Sequence, residues 1–113
     1  MLSLSLRQHY FDAVASRLKT VEGRINSSRF ENCKPGDMVI FTCASTKDTI
    51  VCTITAVTVY QNFYDMLQAQ GVENMLPGIT TLQDGVDMYE AFPGYKEQVK
   101  VSGAVAINIK VCD

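Results

Sequence analysis

Apolar and polar residues alternate in several short segments of the chain, and this alternation is typical of strands that bury one face. Leu and Ser alternate over residues 2–6. In residues 19–25, the polar side chains of Thr20, Glu22 and Arg24 would share one face of a strand, and the apolar side chains of Val21 and Ile25 would lie on the other. β-Branched and aromatic residues dominate 38–43 and 49–60, which we expect to pair as antiparallel strands. The clearest alternation runs through 101–111. The pattern therefore predicts five strands, the last of which crosses the middle of the sheet.

Three further segments have the patterns of helices. Apolar residues recur at i, i+3, i+4 and i+7 from Phe11 to Leu18, which predicts a helix over about residues 8–17 that buries one face. Asn62 is placed to cap a second helix that ends just before Gly71, and Thr80 or Thr81 is placed to cap a third. Because strands and helices do not alternate strictly, the sequence predicts an α+β fold. Such strands around two to three short helices favour a small, partly closed mixed β-barrel whose mouth can hold a ligand.

Length and composition limit the class of protein. The chain has 113 residues, of which 47% are hydrophobic and 19% are charged. This is enough apolar surface for a core and too little charge for a disordered chain, so we expect a single domain over residues 1–113. No segment approaches the about 18 consecutive apolar residues of a membrane helix, and the start of the chain lacks the regions of a signal peptide. We therefore expect a cytoplasmic protein that does not enter a membrane.

Cysteine spacing and motif content exclude several kinds of site. The four cysteines contain no CxxC pair, which argues against zinc, and the apolar residues around three of them indicate buried thiols. The chain has no glycine-rich phosphate loop, no HExxH motif and no GxSxG motif. His9 is the only histidine, so a catalytic pair of serine or cysteine with histidine would have to use it. We therefore expect neither a metal nor a cofactor.

Charge is distributed unevenly along the chain. Residues 1–34 carry a net charge of +3, residues 35–91 carry −6, and the whole chain carries −2. A polyanion such as RNA would therefore meet the N-terminal third. The acidic total argues against tight non-specific binding of nucleic acid, because such binding depends on neutralised phosphates.

Three charged residues near the second predicted strand form the first candidate site. Glu22 and Arg24 share one face of that strand, and Lys19 enters from the end of the preceding helix. The arginine could grip a phosphate or a base edge, the carboxylate could accept from an exocyclic amine, and the lysine could act as a point charge or a base. The alternative is a solvated Glu–Arg pair worth about 0–1 kcal/mol.

Two other short segments carry candidates for ligand binding. Arg7 and Gln8 stand at the start of the first helix, where backbone N–H groups favour an anion such as phosphate. Tyr95 and Lys96 follow a Pro-Gly turn in a predicted loop, where a base could stack on the ring while the lysine meets a phosphate. We assign the aromatic residues just before this turn to the core.

Two short motifs follow one another in the N-terminal part of the chain. The first is Lys19-Thr20-Val21-Glu22-Gly23-Arg24 at a helix-to-strand junction, and the second is Lys34-Pro35-Gly36-Asp37 before a buried strand. In this order they resemble the motifs of ASCH domains, which are small PUA-like barrels. The resemblance continues through Pro93-Gly94-Tyr95 and the closing strand, so it spans nearly the whole chain. ASCH domains usually have glycine two residues before the lysine, where this chain has Arg17.

The resemblance implies a function connected with RNA. ASCH and PUA-like domains are associated with binding RNA or modified nucleosides in a cleft beside the barrel, and this is the function we expect first. One bacterial branch is an amidohydrolase that removes the acetyl group from N4-acetylcytidine with a lysine, a threonine and a glutamate, and other members are proposed to act as ribonucleases. Lys19 takes the place of that lysine, Glu22 replaces the threonine, and Glu73 matches the glutamate. These three residues are the catalytic candidates, and a scaffold without chemistry is the remaining alternative.

Overall fold

The backbone of the computed structural model, which describes residues 1–113, forms one five-stranded mixed sheet with helices packed against it. The strands are β1 (Leu2–Leu6), β2 (Val21–Ile25), β3 (Met38–Cys43), β4 (Thr49–Tyr60) and β5 (Ala104–Val111). The helices are α1 (Gln8–Ala15), α2 (Phe63–Gln70), α3 (Val72–Met75), α4 (Leu82–Glu90) and α5 (Tyr95–Ser102). A short 3-10 helix spans Ser28–Phe30.

The sheet curls into a half-barrel. Its strand order is β1-β3-β4-β5-β2, with β1 parallel to β3 and all other neighbours antiparallel. β1 and β2 are therefore the edge strands, and the open side of the half-barrel lies between them. Arg24 of β2 spans this side, because its Nη2 donates to the backbone oxygen of Ser5 in β1 at 2.8 Å. The predicted α+β fold with a partly closed mixed barrel is confirmed.

The strand predictions are confirmed in part. β3 and β4 pair antiparallel as predicted. β5 is an interior strand, paired with β4 on one side and with β2 on the other. The central strand of the sheet is nevertheless β4, so the prediction that the last strand occupies the middle is wrong in this respect.

The prediction of a loop at residues 94–96 and a strand from Val101 is wrong. These residues belong to α5 or to the turn before it, and the helix is bounded by Gly94 with φ of 80° and by Gly103 with φ of 76°. An acidic residue in the first turn and a basic residue in the last turn complement the helix dipole. Val101 is 88% exposed on this helix. Its apolar side chain extends the alternating pattern of β5 by coincidence and does not belong to that strand.

The other differences concern the number and the ends of the helices. The chain has five α-helices rather than two to three, and α3 spans only four residues, too few to show a helical period. α1 ends at Ala15 rather than at residue 17, because Arg17 has φ of 68° in the left-handed region. The same turn delays β2, which begins at Val21 rather than at residue 19.

Two clusters of buried apolar side chains hold the sheet and the helices together. The first joins the sheet to α1 and includes Phe41, and the second joins β2 and β5 to the other helices and includes Phe63 and Met66. Cys43 and Cys52 are buried in the first cluster, and none of the four cysteines forms a disulfide. No helix of the chain has both the length and the apolar character needed to span a membrane.

Candidate functional site

A cavity of about 270 Å³ lies at the open side of the half-barrel, between the edges of β1 and β2. Its charged side chains come from the residue between β1 and α1, the turn before β2 and β2 itself: Arg7, Lys19, Glu22 and Arg24. Its aromatic side chains come from α1, from α4 and the turn after it, and from α5: Tyr10, Tyr89, Phe92 and Tyr95. The cavity thus combines charged groups with flat apolar surfaces.

Lys19 and Glu22 form a buried ion pair at this cavity. Lys19 Nζ lies 3.2 Å from Glu22 Oε1, and the two side chains are 2% and 7% exposed. The ammonium also donates to the backbone oxygens of Val21 and Met75, at 2.8 Å and 2.5 Å. All three N–H donors of the ammonium are therefore engaged. These hydrogen bonds offset part of the cost of removing the two charges from water.

Arg24 completes the group, which we call the Lys19–Glu22–Arg24 cluster. Its Nε donates to Glu22 Oε2 at 2.7 Å, so each oxygen of the carboxylate faces a different cation. The arginine side chain is 20% exposed, and Nη2 holds it against β1. The Nη1 donors remain available to a ligand in the cavity.

Burial and the neighbouring charges shift the pKa values of the buried pair. Burial alone would raise the pKa of Glu22, but Lys19 and Arg24 outweigh it and hold this pKa below its ordinary value of 4.5. Burial lowers the pKa of Lys19 from its ordinary value of 10.5, although Glu22 opposes the shift. Glu22 is therefore a carboxylate at neutral pH, and Lys19 releases its proton more readily than an exposed lysine.

Aromatic rings form another side of the cavity. Tyr89 and Tyr95 both stack on Phe63, with ring centroids 5.1 Å and 5.9 Å from it. The ring centroids of Phe92 and Tyr95 are 5.3 Å apart, and the guanidinium carbon of Arg7 lies 5.4 Å from the centroid of the Phe92 ring. Burial raises the pKa of Tyr89 well above 10.0, so its hydroxyl stays protonated. Because these rings pack against one another, they form a preformed aromatic wall of the cavity, in which the Phe92 ring is inclined by 60° to the rings of Tyr89 and Tyr95.

The charge of the cavity lining favours an anionic ligand. Three cations and one carboxylate line it, which leaves a net charge of +2. All four of these residues lie in the N-terminal third, where the sequence predicts a basic surface. No group of three or more His, Cys, Asp or Glu side chains is placed to hold a metal ion.

Five of the eight predicted site residues line the cavity, namely Arg7, Lys19, Glu22, Arg24 and Tyr95. Gln8 lies outside the lining and is hydrogen-bonded to Asp12 and Ser45. Glu73 on α3 and Lys96 on α5 are exposed and also lie outside it. The alternative of a solvated Glu–Arg pair is wrong, because Glu22 is buried.

The cavity also contains residues that the sequence patterns do not identify as site residues. Tyr10 and Gly23 line it, and so do Tyr89 and Phe92, for which core packing is the prediction from the sequence. Tyr89 belongs to the buried core, as predicted, and it also lines the cavity. The sequence feature that points to Gly23 as a site residue is its position between two charged residues of the same motif.

Comparison with known proteins identifies the family of the chain. The family model of the ASCH domain matches residues 4–112 of the chain. The chain belongs to the ASCH domain family. This match covers the elements that form the cavity, from β1 to β5. The comparison of this ASCH domain with curated proteins found no match.

Several solved structures are similar to this ASCH domain. Hypothetical protein PH0355 is 32% identical, with a TM-score of 0.87 and 98% of each chain covered. Protein PF0455 from Pyrococcus furiosus is 28% identical, with a TM-score of 0.75 and coverage of 99% of this chain and 97% of that one. ASCH from Zymomonas mobilis is 17% identical with a TM-score of 0.64, and the match covers 96% of this chain and 65% of that one. The last comparison concerns the fold alone, and it supports the predicted partly closed barrel.

Proposed function

We propose that this ASCH domain binds one base of RNA, or a modified nucleoside, in the cavity between β1 and β2. The observation that carries the proposal is the buried Lys19–Glu22–Arg24 cluster beside an aromatic wall, in a cavity of about 270 Å³. Small-molecule sites usually measure about 300–1,000 Å³. The cavity is therefore suited to a single ring system with its attached groups and not to a long segment of nucleic acid.

The two sides of the cavity match the two chemical parts of a nucleotide. Bases stack on aromatic rings, and Tyr95 and Phe92 present such rings. Phosphates bind arginine through paired N–H donors, and Arg7 is exposed at the cavity while Arg24 keeps free donors within it. The net charge of the lining favours the same ligand.

Binding without chemistry is favoured over hydrolysis by the bonds that the cluster already makes. The three donors of Lys19 and both oxygens of Glu22 are engaged within the protein. Such groups are well placed to hold Arg24 and the walls of the cavity in position. A general base needs a free lone pair within reach of a substrate proton, and this cluster is arranged mainly for internal contacts.

An amidohydrolase acting on an acylated nucleoside such as N4-acetylcytidine is the second candidate. The observation that favours it is the lowered pKa of the buried Lys19, since a desolvated lysine is a stronger candidate base than an exposed one. Glu73, which the family resemblance pairs with this lysine, lies on the exposed surface of α3. Hydrolysis would therefore have to use Lys19 with Glu22 and a water molecule.

A thermal-shift screen with nucleosides, acylated nucleosides and short RNAs tests both candidates, because a ligand that binds only the folded state raises Tm. The variant is Arg24→Gln, which removes a cation from the cavity, and the matched control is Lys96→Gln, which removes an exposed cation outside it. We expect the wild type and Lys96→Gln to show the same shift and Arg24→Gln to show a smaller one. Each ligand that binds is then incubated with protein and analysed for product by chromatography.

The outcomes separate the three functions. A ligand-dependent shift without product supports the binding module, and release of acetate from N4-acetylcytidine supports the amidohydrolase. Absence of any shift at low salt, with ligand in large excess, would contradict both and favour a scaffold. An equal loss of binding in Arg24→Gln and Lys96→Gln would place the site elsewhere on the surface.

A further inference from the structure

We propose that the cavity recognises a planar heterocycle through the backbone N–H and C=O of Gly23 together with the hydroxyl of Tyr89. This inference rests on the proposed function and specifies its ligand, a base that presents a hydrogen-bond acceptor beside a donor. The register of β2, the contacts of the neighbouring backbone groups and the close packing at Gly23 support it independently of one another.

The pairing of β2 with β5 leaves the backbone groups of Gly23 free. In antiparallel strands, hydrogen-bonded and non-hydrogen-bonded positions alternate. The Ile109 N–H donates to the Thr20 C=O at 3.0 Å, and the Asn26 N–H donates to the Gly103 C=O at 3.0 Å. Even-numbered residues of this strand therefore bond to β5. Gly23 is odd-numbered and occupies a non-hydrogen-bonded position, so its N–H and C=O point away from β5.

Side chains reach the backbone groups on either side of Gly23 along this open edge. The Val21 C=O accepts from Lys19 Nζ at 2.8 Å, and the Ile25 N–H faces the hydroxyl of Tyr95. Gly23 is buried and lines the cavity, and no side chain or backbone group of the protein bonds to it. Buried backbone groups are nearly always hydrogen-bonded, so a free pair inside a cavity is suited to a ligand.

The absence of a side chain at residue 23 brings the Tyr89 hydroxyl to the same place. A Cβ atom on Gly23 would lie 2.5 Å from Tyr89 Oη and 2.8 Å from Met75 Cε, both closer than packing allows. Tyr89 is 3% exposed and lines the cavity, and none of the side-chain hydrogen bonds of the protein involves its hydroxyl. Three unpaired polar groups therefore converge on one small region.

The direction of the Gly23 groups defines what they can bind. The N–H and C=O of one extended residue point the same way, as when two opposite residues exchange both bonds in an antiparallel pair. A ligand in the place of the partner strand must present an acceptor and a donor side by side. The Watson–Crick edges of unpaired bases do so, whereas a phosphate offers acceptors only.

The test follows the Gly23 amide directly by NMR on protein labelled with 15N-glycine. The chain has seven glycines, so the spectrum contains few signals. Gly103 is the internal control, because its N–H already donates to the Val99 C=O at 2.9 Å. The probes are the four ribonucleoside 5′-monophosphates. The monophosphate that binds most tightly is compared with two methylated forms. One carries the methyl group on the ring nitrogen of the Watson–Crick edge, and the other, the 2′-O-methyl form, carries it away from that edge.

We expect the tightest monophosphate to shift the Gly23 amide proton and to slow its hydrogen exchange, with Gly103 unchanged. Methylation on the ring nitrogen removes one of the two bonds, so affinity should fall about tenfold or more, whereas the 2′-O-methyl form should bind as the parent does. Tyr89→Phe keeps the ring and removes the hydroxyl, so it should fold normally and bind severalfold more weakly.

Two results would overturn this inference and leave the proposed function intact. They are an unchanged Gly23 amide in a saturated complex, and equal affinity for the ring-methylated and 2′-O-methyl forms. If none of the four monophosphates binds to the wild type, base binding itself is contradicted and this inference is lost with it.

Discussion

Lys19 and Glu22 form an ion pair with an N–O distance of 3.2 Å in which both side chains are almost completely excluded from solvent. The pair stands at the junction of α1 and β2, and Arg24 extends it to the opposite edge of the half-barrel. One carboxylate therefore connects the turn before β2, β2 itself and, through the arginine, β1. The cavity and the stability of the fold depend on the same group.

Glu22→Gln should destabilise the protein. The substitution keeps the shape of the side chain but leaves two buried or half-buried cations without their negative partner, which typically costs about 3–5 kcal/mol. Chemical denaturation gives the free energy of unfolding. Glu73→Gln is the matched control, because Glu73 is exposed and its replacement should change that free energy by less than about 0.5 kcal/mol. Equal stability of the two variants would show that the buried pair contributes nothing.

The stability of the wild type should decrease in acid because of Glu22. The pKa of Glu22 is below 4.5 in the folded protein and close to 4.5 in the unfolded chain. The unfolded chain therefore binds the proton first as the pH falls, so this contribution is complete above pH 4.5 and is lost as the pH falls through the folded-state value. Unfolding midpoints measured from pH 7 to pH 3 should fall less steeply in Glu22→Gln, and parallel curves would contradict the assignment.

Gly23→Ala should destabilise the fold through a clash rather than through backbone strain. The added methyl group would lie 2.5 Å from Tyr89 Oη, and such overpacking typically costs about 1–3 kcal/mol. Removing the hydroxyl should relieve part of this clash, so Gly23→Ala with Tyr89→Phe should be more stable than the sum of the two single changes predicts. Additive free energies in this double-mutant cycle would show that the two residues do not meet.

Arg7→Ala should weaken the binding of nucleoside monophosphates more than the binding of the corresponding nucleosides. Arg7 is exposed at the cavity and its guanidinium stacks on Phe92, so it is placed to meet a phosphate beside a stacked base. Calorimetric titration at two salt concentrations measures this difference. Arg17→Ala is the control, because Arg17 is an exposed arginine outside the cavity that pairs with Asp113. An equal effect of both substitutions would indicate general charge attraction.

The sequence could predict the strands and the charged cluster because both leave local signals. Alternation identifies β1, and runs of β-branched and aromatic residues identify β3 and β4. The spacing of Glu22 and Arg24 places them on one strand face. The sequence predicts Tyr95 as a site residue in a loop, and Tyr95 lines the cavity although it lies at the start of helix α5. Gln8, Lys96 and Glu73 have suitable chemistry but lie outside the cavity lining, and no local pattern in the sequence distinguishes them from the residues that line it.

The sequence by itself determines the α+β class, the alternation of the strands and the presence of a lysine, a glutamate and an arginine around one strand. Only the tertiary structure decides that β1 and β2 face each other across an open side, that Lys19 and Glu22 are buried there, and that Tyr89 meets Gly23. The reason is physical: alternation reflects neighbouring residues in one segment, whereas burial and contact depend on residues far apart in the chain. The closure of the sheet and the packing of α4 against it bring these residues together.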